Sequence, residues 1–198
     1  MVLVFMKIMG IDLAGKEENP TGICTLNNHK LFLKTLHLDE GILEEIKKVN
    51  PNLIAVDTPL SLPKGRCCLM KDCKCAVGGH FRQAERDIRP YGRVLPLTFR
   101  GMNMLTLRGT ALAKQLRDKY QVIETHPRTS QKMLGFKNLQ FELSVHFKLS
   151  GDKTDHTLDA ALAALTGFFY LNNCSIELGD PAEGTIVIPQ NRKCLNLL

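Results

Sequence analysis

Gly10-Ile11-Asp12-Leu13-Ala14-Gly15 is the stretch on which the fold turns. It closes an apolar run beginning at Val2 with a carboxylate and then two small residues. That is the pattern of a buried central strand, spanning 2–12, whose last side chain faces a crevice. Working outward, Thr21 to Leu26 and Leu31 to Leu36 are β-like runs, and Asn27-Asn28-His29-Lys30 between them is a hairpin signal. Asp39 is placed to cap a helix whose apolar positions Ile42, Leu43, Ile46 and Val49 recur at helical spacing, and Asn50-Pro51 ends it. Leu53 to Val56 is a short buried strand that delivers Asp57 at its end. The order is strand, strand, strand, helix, strand: an antiparallel meander followed by a crossover to parallel strands.

Residues 59–100 are rich in Pro, Gly, Cys and Arg and have little periodicity beyond a helical stretch around 80–89. A helix over 101–119, a strand over Gln121 to Thr125, an Ala/Leu-rich helix from Thr157 to Asn172 and a β-like segment from Gly184 to Ile188 follow. No repeat or linker divides the chain. The expectation is one α/β domain over 1–198, a mixed sheet with flanking helices, with 59–100 inserted over its active-site end.

The 198 residues suit one domain, and 44% hydrophobic, 23% charged and a mean hydropathy of −0.08 describe a globular chain. The N-terminal run lacks a basic leader region and a small-residue cleavage site, and no apolar stretch approaches the roughly 20 residues of a membrane helix. A cytoplasmic protein without a membrane partner is expected. The net charge of +6 is localised. From Lys64 to Arg108 ten Lys/Arg face three acids, which accounts for the whole surplus and points to a nucleic acid or another phosphorylated substrate as partner.

The carboxylates carry the chemistry. Asp12 and Asp57 end what the topology makes adjacent central strands, and Asp152, Asp155 and Asp159 cluster at the start of the last long helix. Two carboxylates side by side repel unless a cation lies between them, and Mg²⁺ or Mn²⁺ suits such an all-oxygen site. An Asp at a helix start is commonly a cap, which can account for Asp152 or Asp155. Asp159 lies inside an apolar helix, where a lone carboxylate is costly. Glu124 and His126, at the end of the fifth strand, are candidates to orient water or substrate.

Arg82, Glu85, Arg86 and Arg89 fall at one-face helical spacing, and with Arg93, Arg100 and Arg108 they can cradle phosphate oxygens. Glu85 among them is read first as an ion-pair partner and second as a further acid. Cys67, Cys68, Cys73 and Cys75 fall within nine residues and offer four ligands for Zn²⁺, although adjacent cysteines depart from the usual C-x2-C pairing. The alternatives there are disulfides or reactive thiols. Cys24, Cys174 and Cys194 look isolated and are assigned to packing.

GIDLAG (10–15), AVDTPLSLP (55–63), RQAERDIRPYG (82–92), LRG (107–109), IETHP (123–127) and DKTDHTLDAALAALTG (152–167), in this order, resemble domain-of-unknown-function family 429. That is a family of predicted nucleases with a ribonuclease H-like fold. His156-Thr-Leu-Asp159-Ala-Ala-Leu also resembles the last acidic motif of Holliday-junction resolvases. The resemblance implies Asp12, Asp57 and Asp159 as Mg²⁺ or Mn²⁺ ligands, with Asp155 a catalytic addition, and it admits a homodimer. The leading function is thus a metal-dependent phosphodiesterase, a nuclease. One alternative is an actin-like phosphohydrolase or kinase, which normally repeats the phosphate loop in a second half. The other is a nucleic-acid-binding protein without catalysis.

Overall fold

The computed structural model describes residues 6–190 and 192–197. The apolar run is a strand from Lys7 to Asp12 (β1), and the Val2–Phe5 part of the expected strand lies outside the described residues. Thr21–Asn27 (β2) and Lys30–Leu36 (β3) complete the meander through a turn that puts Asn28 at φ 53°, a left-handed conformation that Asn tolerates. Asp39–Val49 (α1) ends, as expected, at a left-handed Asn50. Its start differs from expectation: Leu38 is the cap residue, and Asp39 is the first helical residue, its carboxylate taken by Arg108.

Leu53–Asp57 (β4) returns parallel to β1. The 59–100 segment contains a 3-10 turn at Lys74–Gly78 and a short helix, Gln83–Asp87 (α2). Glu183 clamps this segment, one carboxylate oxygen accepting from Lys64 N and the other from Gln83 N, both at 2.6 Å. Arg100–Leu116 (α3) and Gln121–Thr125 (β5) follow the expected order. Then come Pro127–Leu134 (α4), Leu139–His146 (α5), Lys148–Gly151 (β6), Asp155–Leu171 (α6), Ser175–Asp180 (β7) and Gly184–Pro189 (β8).

The strands make one eight-stranded mixed sheet in the order β6-β3-β2-β1-β4-β5-β8-β7. β1, β4, β5 and β8 run parallel, and β2 and β7 run against their neighbours. One face is covered by α6, whose Leu158, Leu162, Leu165 and Phe169 are buried. Burial of each such side chain contributes about 1.5–3 kcal/mol. The other face carries α1 and α3 over Met9, Ile11, Ile54 and Val56. No helix among the described residues is long and apolar enough to cross a membrane.

Alanines at 160, 161, 163 and 164 let α6 lie close on the sheet, and two strand glycines bring its first turns closer still. A Cβ on Gly10 would fall 1.9 Å from the Ala160 carbonyl oxygen, and one on Gly22 2.0 Å from that of His156. Only glycine permits either approach. This contact sets the depth at which Asp159 meets the sheet.

Candidate metal and nucleic-acid site

The parallel register of β1 and β4 makes Asp12 and Asp57 direct partners at the carboxyl ends of neighbouring strands. Residues level with each other on adjacent strands point to the same face, so both carboxylates leave toward α6. There α6 begins at the cap residue Thr154, whose hydroxyl accepts from Thr157 N. Thr154 takes the capping role considered for Asp152 and Asp155. Asp159, one turn inside the helix, is 8% exposed; its charge raises the Asp57 carboxyl, and the charge of Asp12 raises its own.

The electrostatics follow from three acids crowded into a partly buried corner. Burial pushes Asp57 well above the ordinary carboxylate range, and the charges of Asp12, Asp159 and Glu124 push it further. Burial also raises Asp12, while a hydrogen bond and the charge of His156 oppose the rise. Asp159 is raised to about 6 by burial, against the pull of Arg128. The counter-charges are few: His156 Nδ1 lies 2.7 Å from Asp12 Oδ2, and Arg128, itself 68% exposed, reaches Asp159 at 3.2 Å. Neither basic residue was singled out by sequence reasoning. His156 precedes Asp159 by three and so shares its helix face, a signal that was available. Arg128 follows the IETHP segment and carries no comparable signal.

A group of carboxylates whose ionisation is disfavoured by burial and by one another is a fit for a hard divalent cation, which replaces mutual repulsion with shared attraction. Asp12, Asp57 and Asp159 have the oxygen donors to hold one. Asp155 is exposed in the first turn of α6, at the rim. Asp152 turns away, accepting from Thr35 N at 3.2 Å on β3. A cavity of about 210 Å³ opens beside Asp57, lined by Thr58, Arg93, Met102, Leu105, Thr125 and His126 among others.

Several sequence expectations meet a different arrangement. Arg82, expected in a phosphate cradle, is completely buried, and its guanidinium bonds Glu85, Glu124 and Ser61 Oγ. Its donors are spent on protein. Glu85 takes the ion-pair reading, accepting from Arg82 Nε at 3.1 Å and from Arg82 N at 2.8 Å. Glu124 is likewise engaged, one oxygen accepting from Arg82 Nη1 at 2.8 Å and from Leu60 N at 2.9 Å. Its register partner is Val56, one step behind Asp57. His126 caps α4, its Nδ1 accepting from Thr129 N at 3.3 Å, and burial lowers its proton affinity.

Arg108 braces the loop after β1, donating to Asp39 Oδ1 and to the carbonyls of Ala14 and His37, each at 2.8 Å. The single-face arginine row also fails, because α2 spans only Gln83–Asp87 and leaves Arg82 and Arg89 outside it. Arg89 instead covers the Phe81 ring at 4.4 Å. Arg86, Arg93 and Arg100 remain exposed. Cys174 and Cys194, read as isolated packing residues, form a disulfide. Cys24 is buried, as a packing role requires.

The fold these elements make is the ribonuclease H-like one. Across 91% of this chain and 99% of the other, the structure is similar to T. thermophilus RuvC, solved in complex with Holliday junction substrate, at a TM-score of 0.51 and 13% sequence identity. At that identity the likeness establishes the fold alone. No family model matches the chain, and no curated protein matches it in sequence. The resemblance to family 429 therefore stands on its quoted motifs, while the fold it implied is the one present.

Proposed function

We propose that this chain is a divalent-metal-dependent nuclease, with Asp12, Asp57 and Asp159 holding Mg²⁺ or Mn²⁺ and Asp155 assisting at the rim. The observation that carries this reading is the register pairing of Asp12 with Asp57, completed by a third acid, the buried Asp159, that α6 brings down over Gly10 and Gly22. When bound there, a divalent ion supplies charge neutralisation at a phosphodiester and lowers the proton affinity of a coordinated water.

The chain's own groups do the rest. Asp12, held at Oδ2 by His156, keeps one orientation, and the half-exposed imidazole can pass a proton between that carboxylate and solvent. The exposed Arg86, Arg93 and Arg100 suit phosphate oxygens of a backbone. RuvC was solved with a branched DNA substrate, which makes structured nucleic acid the first class to test.

The deciding experiment has two parts. Mn²⁺ is titrated calorimetrically into the wild type and Asp57→Asn, and both are assayed on branched and linear DNA and RNA with Mg²⁺ or Mn²⁺. Metal binding and cleavage in the wild type, each falling at least about 100-fold in the variant, support the reading. Salt-sensitive binding of nucleic acid that is never cut, and that Asp57→Asn leaves intact, would instead support the non-catalytic alternative.

A further inference from the structure

The four cysteines of the inserted segment come together in a way their spacing alone does not dictate. All four Sγ atoms of Cys67, Cys68, Cys73 and Cys75 lie within 4.8 Å of one another. The adjacent pair divides its attention: Cys67 Sγ lies 3.8 Å from Cys73 Sγ, Cys68 Sγ 3.7 Å from Cys75 Sγ, and Cys73 and Cys75 are 3.2 Å apart. Zinc–thiolate bonds of about 2.3 Å in a tetrahedron place sulfurs about 3.8 Å apart along each edge. The Cys67–Cys73 and Cys68–Cys75 separations match that figure and Cys73–Cys75 is shorter, and the four thiols are unbridged while Cys174 and Cys194 form a disulfide elsewhere in the same chain.

The loop around the cluster is organised from inside. Arg66, 8% exposed, donates through Nε to the Gly79 carbonyl, and its two terminal nitrogens reach the carbonyls of Cys68, Met70 and Ala76, each at 3.3 Å. One side chain thereby gathers the backbone on both sides of the cysteines. The loop is also tied to the body of the protein, with Leu69 buried and its carbonyl accepting from Asn103 Nδ2 of α3 at 3.3 Å. Such a fixed loop with few apolar contacts of its own is the setting in which small domains use a structural metal.

We propose that Cys67, Cys68, Cys73 and Cys75 form a structural Zn²⁺ site that pins the 66–79 loop, separate from the aspartate site. On binding, four thiols release four protons and the ion becomes a tetrathiolate dianion. The Arg66 guanidinium packed inside the same loop offsets one of its two negative charges. The coordination is closed, with no position left for substrate, so the role is to order the loop.

The test uses the full chain, expressed with zinc and purified under reducing conditions without chelator. Elemental analysis is expected to give one zinc per chain, retained in Asp57→Asn and lost in Cys73→Ser. Retention in Asp57→Asn keeps this inference independent of the nuclease reading. Exchange with Co²⁺ is expected to produce the strong visible bands and sulfur-to-cobalt charge transfer of a tetrahedral tetrathiolate. Should Cys73→Ser fail to fold, titration of the wild type with a mercurial reagent replaces it, and zinc release should be complete once four thiols have reacted. A zinc content near zero overturns the proposal. So does a cobalt spectrum without thiolate bands, or mass spectrometry finding the four cysteines in disulfides.

Discussion

Asp57 and Glu124 lie at the carboxyl ends of neighbouring parallel strands, Glu124 buried and Asp57 partly so, and desolvation pushes both carboxyls upward, yet their surroundings are opposite. Glu124 meets a guanidinium at both of its oxygens and a backbone N–H besides. Asp57 meets two further aspartates, with Arg128 as its one opposing charge. The chain therefore knows how to neutralise a carboxylate at this edge of the sheet and does so one strand away. Leaving Asp57 without a partner makes sense where something from outside supplies the positive charge. A compensated group is architecture, and an uncompensated one marks a candidate site.

This contrast can be broken at several points. The largest effect belongs to the compensated side. Arg82→Met leaves Glu85 and Glu124 buried without their cation and should cost about 3–5 kcal/mol in urea unfolding. Adding Glu85→Gln and Glu124→Gln should recover much of that loss. A cost below about 1 kcal/mol would show that Arg82 is not what holds these acids.

Asp57→Asn should move stability the other way. The folded-state carboxyl is raised, so its neutral form carries no penalty at low pH, and the penalty builds from the ordinary value of 3.8 upward until pH passes the raised value. The variant should thus gain over the metal-free wild type, by on the order of 1–3 kcal/mol at pH 8. The gain should shrink on acidification, and Mn²⁺ should reverse it by stabilising the wild type alone. Thermal melts of both proteins at pH 5 and 8 check this.

Asp159→Asn should behave alike but more weakly, because Arg128 already offsets part of its charge. Its gain should develop between the ordinary value of 3.8 and about 6, then level off. A profile still changing well above pH 7 would contradict the assignment. The smallest effect on stability, within about 0.5 kcal/mol, belongs to Arg93→Ala. If Arg93 contacts a phosphate, the same substitution should reduce the slope of log K against log salt by about 0.9.

How much of this was legible beforehand depends on how local each signal is. The strand-end acids stood at the ends of apolar runs, so Asp12, Asp57 and the meander before them could be read from short windows of sequence. Asp159 could be read too, because a carboxylate among Ala and Leu contradicts its own helix. Edge strands β6 and β7 escaped, being short and only partly buried, with no clean alternation to expose them. The true role of Arg82 escaped because Glu124, its partner, is 42 positions away. From spacing, Arg82 resembled the exposed Arg86, and only the folded sheet separates them. The Cys174–Cys194 bridge was hidden for a related reason: spacing between two cysteines does not reveal whether the fold brings them together.

The glycines beneath α6 have a consequence for the order of assembly. During synthesis Asp57 leaves the ribosome about a hundred residues before Asp159, and Asp12 about 150 before it, so the ground between Gly10 and Gly22 stays uncovered until α6 arrives. Contacts across such a separation form late. The half-made chain holds two acids of the three, so any catalytic power in this site is withheld until the last long helix has docked. On the proposed nuclease reading, this delay spares the cell an active nascent form beside the message that encodes it.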